Sequence, residues 1–143
     1  MSIRNATPED HTAIRQLLDQ LDYPDTGDFL HYKIICLINQ ASSALLVYES
    51  EGRVLAFISV NFITQLALEG DIARISYFAV DKDARGEGIG AQMKAYCEQM
   101  ARSRKCDRIE VHCHLRRKDA HRFYEQQGYT DSPKYLIKSL KGA

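Results

Sequence analysis

Apolar residues recur along this chain with two different periods, and the order in which the periods change predicts a layered fold. Ser2 to Asn5 alternates polar and apolar positions and predicts a short first strand. Thr7-Pro8-Glu9-Asp10 then has the composition of a helix start: Thr7 can cap, Pro8 suits the first helical position, and two acids complement the helix dipole. Ile14, Leu17, Leu18 and Leu21 follow at helical spacing. Tyr23 to Asp28 contains Pro and Gly and ends that helix. A second helix carries Leu30, Ile34, Leu37 and Ile38 on one stripe.

From Ala44 the period changes to two. Ala44 to Tyr48 and Val54 to Ile63 are strand-like, with Glu49-Ser50-Glu51-Gly52 as the hairpin turn between them. Ile72 to Val80 predicts a third strong strand. A polar, glycine-rich stretch follows, and then a helix with Ile89, Met93, Tyr96, Cys97 and Met100 on one face. Arg108 to Cys113 predicts a strand with Ile109, Val111 and Cys113 inward. Asp119 to Gln127 predicts a helix carrying Ala120, Phe123 and Tyr124, with Gly128 at its C-cap. Tyr129 and Lys134 to Leu140 read as final strands. The order is βαα, an antiparallel meander, then αβαβ(β). It implies a mixed α/β or α+β layer of six to seven strands and about four helices, with one parallel crossover through the helix after Gly90.

One strand breaks its own period. Ile75, Phe78 and Val80 are its apolar positions, and a spacing of three then two cannot stay on one face of a regular strand. A β-bulge near Tyr77 and Phe78 restores the register and splays the strand from its parallel neighbour. The alternative is a strand buried on both faces.

Bulk properties narrow the function class. At 143 residues the chain has the length of one domain, residues 1–143, able to bury a core without staples. Nineteen basic residues balance nineteen acidic ones, which argues against a nucleic-acid or anionic-membrane surface. No apolar run approaches the roughly 20 residues of a membrane span. The N-terminus MSIRNATPED lacks an apolar core, and the four cysteines form no CxxC pair, so a cytoplasmic protein with reduced thiols is expected. His112, Cys113, His114, Cys106 and His121 lack zinc spacing, and neighbours on a strand point oppositely, so no metal site is expected.

The chemistry concentrates in Arg85-Gly86-Glu87-Gly88-Ile89-Gly90, between a strand and a helix. Glycines there let several backbone N–H groups face one concavity, and the helix adds unpaired donors and its positive dipole end. Together they form a seat for a pyrophosphate, to which Arg85 adds a charge-assisted contact. Taken alone, the segment also fits a tight strand-to-helix turn. A P-loop is excluded, because Gly90-Ala91-Gln92 lacks Gly-Lys-Ser/Thr. Gly86, Gly88 and Ala91 do fit the dinucleotide pattern G-x-G-x-x-A. The antiparallel meander before them and the short chain after them leave no room for a doubly wound sheet.

Phe78-Ala79-Val80 followed by Arg85 to Gly90 resembles the acetyl-coenzyme A signature of the GNAT superfamily of N-acetyltransferases. Its core, Q/R-x-x-G-x-G/A, is met by Arg85, Gly88 and Gly90. Ala120 to Tyr129, AHRFYEQQGY, resembles the family's A-x-x-F-Y-E-x-x-G-F/Y block, and Arg117 to Tyr124 resembles small-amine members, including the aminoalkylphosphonate type. The resemblance implies the GNAT fold along essentially the whole chain. It implies that backbone groups of Phe78 and Val80 pair with the pantetheine arm of acetyl-CoA, and that Arg85 to Gly90, with Ala91, bind its pyrophosphate. Ala120 and Phe123 would flank the pantetheine, with Tyr124 near the sulfur. The family often has Asn where Arg117 stands; Arg117 cannot accept a hydrogen bond and would reach a phosphate or solvent instead.

Acetyl transfer needs a neutral amine, and at pH 7 only about one alkylammonium in 2,500 is deprotonated. A general base is worth up to a few kcal/mol. A backbone N–H at Phe78 or Val80 can polarise the carbonyl. Tyr124 is the candidate acid for the leaving thiolate; its alternative role is core packing. Family members often place Glu in the central strand, where Arg74, Ser76 and Tyr77 stand here. The base candidates are therefore Glu110 and His112, on one strand face by parity, then His114 and Asp71, or water alone. Asp25, Asp28, Tyr32 and Tyr77 are candidates to meet a cationic acceptor, and Lys33, Arg74 or Arg116 an anionic group on it. A small-molecule amine is the expected partner, and a homodimer is left open. Acetylation of a protein N-terminus or an aminoacyl-tRNA, and a coenzyme A-binding module without turnover, stay as alternatives.

Overall fold

The computed structural model describes residues 2–111, 118–130 and 136–141. The chain divides into two compact units, Met1–His112 and Cys113–Ala143. The first holds β1 (Ser2–Asn5), α1 (His11–Gln20), α2 (Leu30–Ile38), β2 (Ser43–Ser50), β3 (Arg53–Ile63), β4 (Asp71–Val80), α3 (Ile89–Ser103) and β5 (Cys106–Val111). The second holds α4 (Lys118–Gln126).

The start of α1 is fixed by charge. Pro8–Asp10 forms a single 3₁₀ turn leading into the helix. The Thr7 N–H donates to Asp10 Oδ2 at 2.8 Å, and Arg4 clamps both Asp10 oxygens at 2.9 and 3.0 Å. Arg4 also gives its Nε–H to Glu49 Oε1 at 3.0 Å, so one guanidinium ties β1, the head of α1 and β2. The Arg4 hydrogen bond is the main reason that the buried Asp10 carboxyl titrates below the usual carboxylate range. The end of α1 is a Schellman turn: Asp22 takes the left-handed conformation at φ 69°, its N–H donates to Asp19 O, and the Tyr23 N–H donates to Leu18 O. That turn sets Tyr23 at the mouth of the α1–α2 connection.

The sheet order is β1-β2-β3-β4-β5, antiparallel as far as β4 and parallel between β4 and β5, with α3 as the crossover. Its α3 side buries Leu46, Ile58, Val60, Phe62, Ala73 and Ile75 against Ile89, Met93, Cys97 and Ala101. Its other side buries Leu45, Val47, Phe57 and Ala79 against Ile14, Leu17, Leu18 and Ile34. Each large side chain buried this way contributes about 1.5–3 kcal/mol.

The expected bulge is present, one residue earlier than its sequence placement. Val60 pairs with Ile75 and Ser59 with Tyr77, which leaves Ser76 as the extra residue of β4. Through that insertion Ile75, Phe78 and Val80 all reach the α3 side despite their uneven spacing. Tyr77 and Ala79 are turned to the α1/α2 side.

Two expectations are corrected. The sheet has five strands among the described residues, not six to seven: Tyr129 and residues 136–140 carry no strand, and 131–135 lie outside the described residues. On α3, Tyr96 is exposed, while Lys94 is buried in its place among the apolar residues. The helix turns about 100° per residue, so position 94 falls about 20° from the buried Ala101 and about 60° beyond Cys97, at the edge of the sheet-facing stripe.

Within the second unit, α4 ends in its own Schellman turn. Gly128 sits at φ 89°, its N–H donates to Glu125 O, and the Tyr129 N–H donates to Tyr124 O at 3.0 Å. The apolar contact that accompanies this motif is the Tyr124–Tyr129 ring pair, 5.4 Å between centroids. Among the described residues no helix is long and apolar enough to cross a membrane.

Candidate active site

The C-terminal end of β4 leads into the glycine loop. Asp81 Oδ1 accepts from the Asp83 N–H at 2.9 Å, and Lys82–Ala84 makes one 3₁₀ turn. Gly86 and Gly88 lie at φ 85° and 82°, a region that costs an L-residue about 1–2 kcal/mol. A Cβ built on either meets no atom within 4 Å, so packing does not demand these glycines. Backbone conformation does, and the space at their Cβ positions is open.

The first helical bond of α3 runs from the Gln92 N–H to Gly88 O at 3.1 Å. The N–H groups of Ile89, Gly90 and Ala91 therefore have no acceptor within the helix, and no acidic side chain occupies its first turn. A 15-residue helix presents its positive dipole end here. This donor set suits a pyrophosphate. Arg85 folds back, its Nε–H donating to Val80 O at 3.2 Å, which keeps the guanidinium at the loop. Phe78, Ala79 and Val80 pair with Ile58, Phe57 and Ala56 of β3.

On the α1/α2 side, the register assembles a polar row across three strands. Asn61 pairs with Arg74, and Arg74 pairs with Glu110. The flanking residues Val60, Phe62, Ala73, Ile75, Ile109 and Val111 all pack on the α3 side, so the row faces the other way. Arg74 Nη2 donates to Glu110 Oε1 at 3.0 Å, and Ser76 Oγ donates to Asn61 Oδ1 at 2.8 Å. The Arg74 Nε–H is buried and has no hydrogen-bond partner. Beyond the bulge, Tyr77 meets Tyr23 edge to face at 5.2 Å between centroids, with the rings 42% and 47% exposed.

The structure thus brings Arg74 and Glu110 into contact and puts Tyr77 on their side of the sheet. It keeps Asp71 apart from them, at the opposite end of β4 from Val80. Asp25, Asp28, Tyr32 and Lys33 are exposed. His112, His114, Arg116 and Arg117 lie outside the described residues. In the second unit Tyr124 is buried and Ala120 and Phe123 are half-buried, with the Phe123 and Tyr124 rings in edge contact at 5.3 Å.

Sequence reading passed over three residues here. Asn61 is a polar position in a strand rich in apolar residues, and only the partner strand gives it company. Tyr23 looked like a loop residue; the Leu18-to-Tyr23 turn that places it is readable only once Asp22 is known to be left-handed. Lys94 has no exposed surface, and its Nζ lies 3.7 Å from Glu98 Oε2. Burial lowers its pKa to about 8, and raises that of the neighbouring Cys97 thiol to about 11. An open groove of about 350 Å³ lies elsewhere, lined by Arg4, Asp10, Glu49, Arg53 and Asp81, whose charges are already paired with one another.

Comparison with known proteins agrees with this architecture. The chain is 29% identical to the aminoalkylphosphonate N-acetyltransferase of Salmonella typhimurium, over 96% of this chain and 90% of that one. A putative acetyltransferase from Agrobacterium tumefaciens superposes with a TM-score of 0.88 at 19% identity, covering 97% of this chain and 100% of that chain. An aminoglycoside 6'-N-acetyltransferase from Acinetobacter haemolyticus superposes with a TM-score of 0.83 at 16% identity, with both chains covered in full. The profile of the acetyltransferase (GNAT) family matches residues 6–129, and the chain belongs to that family of acetyl-CoA-dependent acyltransferases.

Proposed function

We propose that the protein transfers an acetyl group from acetyl-CoA to the primary amine of a small molecule by direct attack in a ternary complex. The observation that carries the donor half is the glycine loop, with its two left-handed glycines, the open space at their Cβ positions and the unpaired helix donors. The relative that acts on aminoalkylphosphonates, a small-amine class, supports the acceptor half. We read the two units as parts of one acetyltransferase domain, because the family match runs across both.

In this reading Arg85, Gly86, Gly88, Ile89, Gly90 and Ala91 hold the pyrophosphate, and backbone groups of Phe78 and Val80 align the pantetheine arm. Acetyl-CoA supplies an acyl group already activated as a thioester. An N–H of β4 near the bulge polarises the acyl oxygen. Glu110 keeps one carboxylate oxygen on Arg74 and offers the other to accept the ammonium proton, directly or through water. Tyr124, carried by the motif that α4 bears, holds the phenolic proton for the departing thiolate. Its ring contacts with Phe123 and Tyr129 fix its orientation within that unit.

The test is to mix the protein with acetyl-CoA and a panel of primary amines, and to measure thiol release and N-acetylated product together. Equal amounts of thiol and acetylamine from at least one small amine are expected. Tight acetyl-CoA binding with no thiol released by any amine would instead identify a binding module.

A further inference from the structure

The polar row on the α1/α2 side has a charge pattern that points to one kind of acceptor. Arg74 spends one N–H on Glu110, out of the five donors a guanidinium carries. Its Nε–H is buried without a partner, a cost of about 1–3 kcal/mol, so the cation is incompletely satisfied by the protein. The Arg74 side chain is nevertheless 40% exposed, and its head can meet a ligand. Across the ladder on one side stands Asn61. Its Oδ1 is taken by Ser76, which leaves the amide N–H groups as donors. Directly paired residues on adjacent strands hold their side chains about 5 Å apart, so the Arg74 and Asn61 donors converge. On the other side stands Glu110, with one carboxylate oxygen on Arg74 and the second directed elsewhere. The row thus offers donors suited to an oxyanion beside a carboxylate suited to an ammonium group.

We propose that Arg74 and Asn61 form an anion anchor for the acceptor, so that the amine acetylated by this protein carries a phosphonate or carboxylate a few carbons from its nitrogen. This rests on the acetyl-transfer reading above. Arg74 precedes the bulge residue Ser76 by two positions, about 7 Å along a strand, so an anion held by Arg74 and an amine facing the bulge fall within the length of one small molecule. Tyr77 and Tyr23 stand past the bulge on the same side, and their paired rings give the short carbon chain an apolar wall. Amines without an anionic group leave the anchor unfilled. Dianionic phosphonate matches a guanidinium fork better than a monoanion does.

The test is a calorimetric titration of amines into the protein saturated with coenzyme A, which carries no acetyl group to transfer. 2-Aminoethylphosphonate is expected to bind at least about tenfold more tightly than propylamine. Arg74→Gln abolishes that preference, Arg74→Lys keeps part of it, and neither changes the affinity for coenzyme A. Equal binding of the two amines by the unaltered protein overturns the proposal. So does an Arg74→Gln variant that weakens both amines by the same factor, since a merely structural arginine would do that. The underlying reading fails separately. If amines without an anionic group are acetylated as readily as those that carry one, acetyl transfer stands and the anchor falls. If no amine is acetylated but the Arg74-dependent preference holds, the anchor stands and acetyl transfer falls.

Discussion

The two regions of β4 that we propose hold the acetyl donor and the acceptor are built by different means. At its C-terminal end the donor seat is made almost wholly of backbone: N–H groups of Ile89 to Ala91, two left-handed glycines and a helix dipole. Before the bulge the acceptor row is made of side chains, Asn61, Arg74 and Glu110, each from a different strand. A backbone site demands particular residues in a fixed local order, because few residues tolerate the required angles. A side-chain row demands only that strands pair in one register, and many residues can fill it. The donor seat is therefore suited to a constant ligand and the acceptor row to a variable one.

Substitutions separate the two regions. The largest effect is expected at Glu110. Glu110→Gln should lower kcat roughly 100-fold, in line with the usual worth of a general base, and leave the acetyl-CoA dissociation constant unchanged. An unaltered kcat would give proton removal to water.

Next is Arg4, which lies in neither region but fixes α1, the helix whose end presents Tyr23. Arg4→Met should destabilise the fold by about 2–3 kcal/mol in equilibrium denaturation, because it strands the buried Asp10 carboxylate. The folded-state pKa of Asp10 is depressed. Its contribution is thus present above about pH 3.8, its ordinary value, and is lost as pH falls through the lower folded value. The acid limb of the stability profile should flatten in Arg4→Met.

The smallest effect is expected at Lys94. Its folded pKa of about 8 lies below the ordinary 10.5, so between those values the unfolded chain binds more protons. Lys94 adds stability as pH rises across that window, while Cys97, raised from 9.0 to about 11, removes stability above about pH 9; the rise should therefore show between about pH 8 and 9, and Lys94→Met should remove it. A rise of the same size in the variant would assign it to other groups.

These differences also explain what could be read from sequence. The meander, the crossover and the loop were legible because alternation, turn residues and glycines act locally. The bulge was legible from the Ile75, Phe78 and Val80 spacing, but its position was off by one. Spacing shows that a residue is extra without showing which one, and pairing with Ser59 and Val60 identifies Ser76. Glu110 was legible as a candidate, whereas its bond to Arg74 needed the parallel register. Lys94 drew no notice in the sequence because lysine seldom enters a core; its burial beside Ala101 and Cys97 shows only once α3 is packed on the sheet. The expected C-terminal strands came from alternation alone, with no partner to confirm them, and residues 136–140 carry none.

The proposed donor seat is tested most directly by calorimetry comparing acetyl-CoA with acetyl-pantetheine, which lacks the pyrophosphate and the phosphorylated adenosine beyond it, and by asking how much of the difference depends on Gly88. The unaltered protein should prefer acetyl-CoA by about 100-fold or more, the worth of a few charge-assisted hydrogen bonds. Gly88→Val, which forces a branched residue into a left-handed site, should erase most of that preference while leaving acetyl-pantetheine binding unchanged. A Gly88→Val protein that is folded and keeps the full preference would contradict the assignment of Arg85 to Gly90 as the pyrophosphate seat.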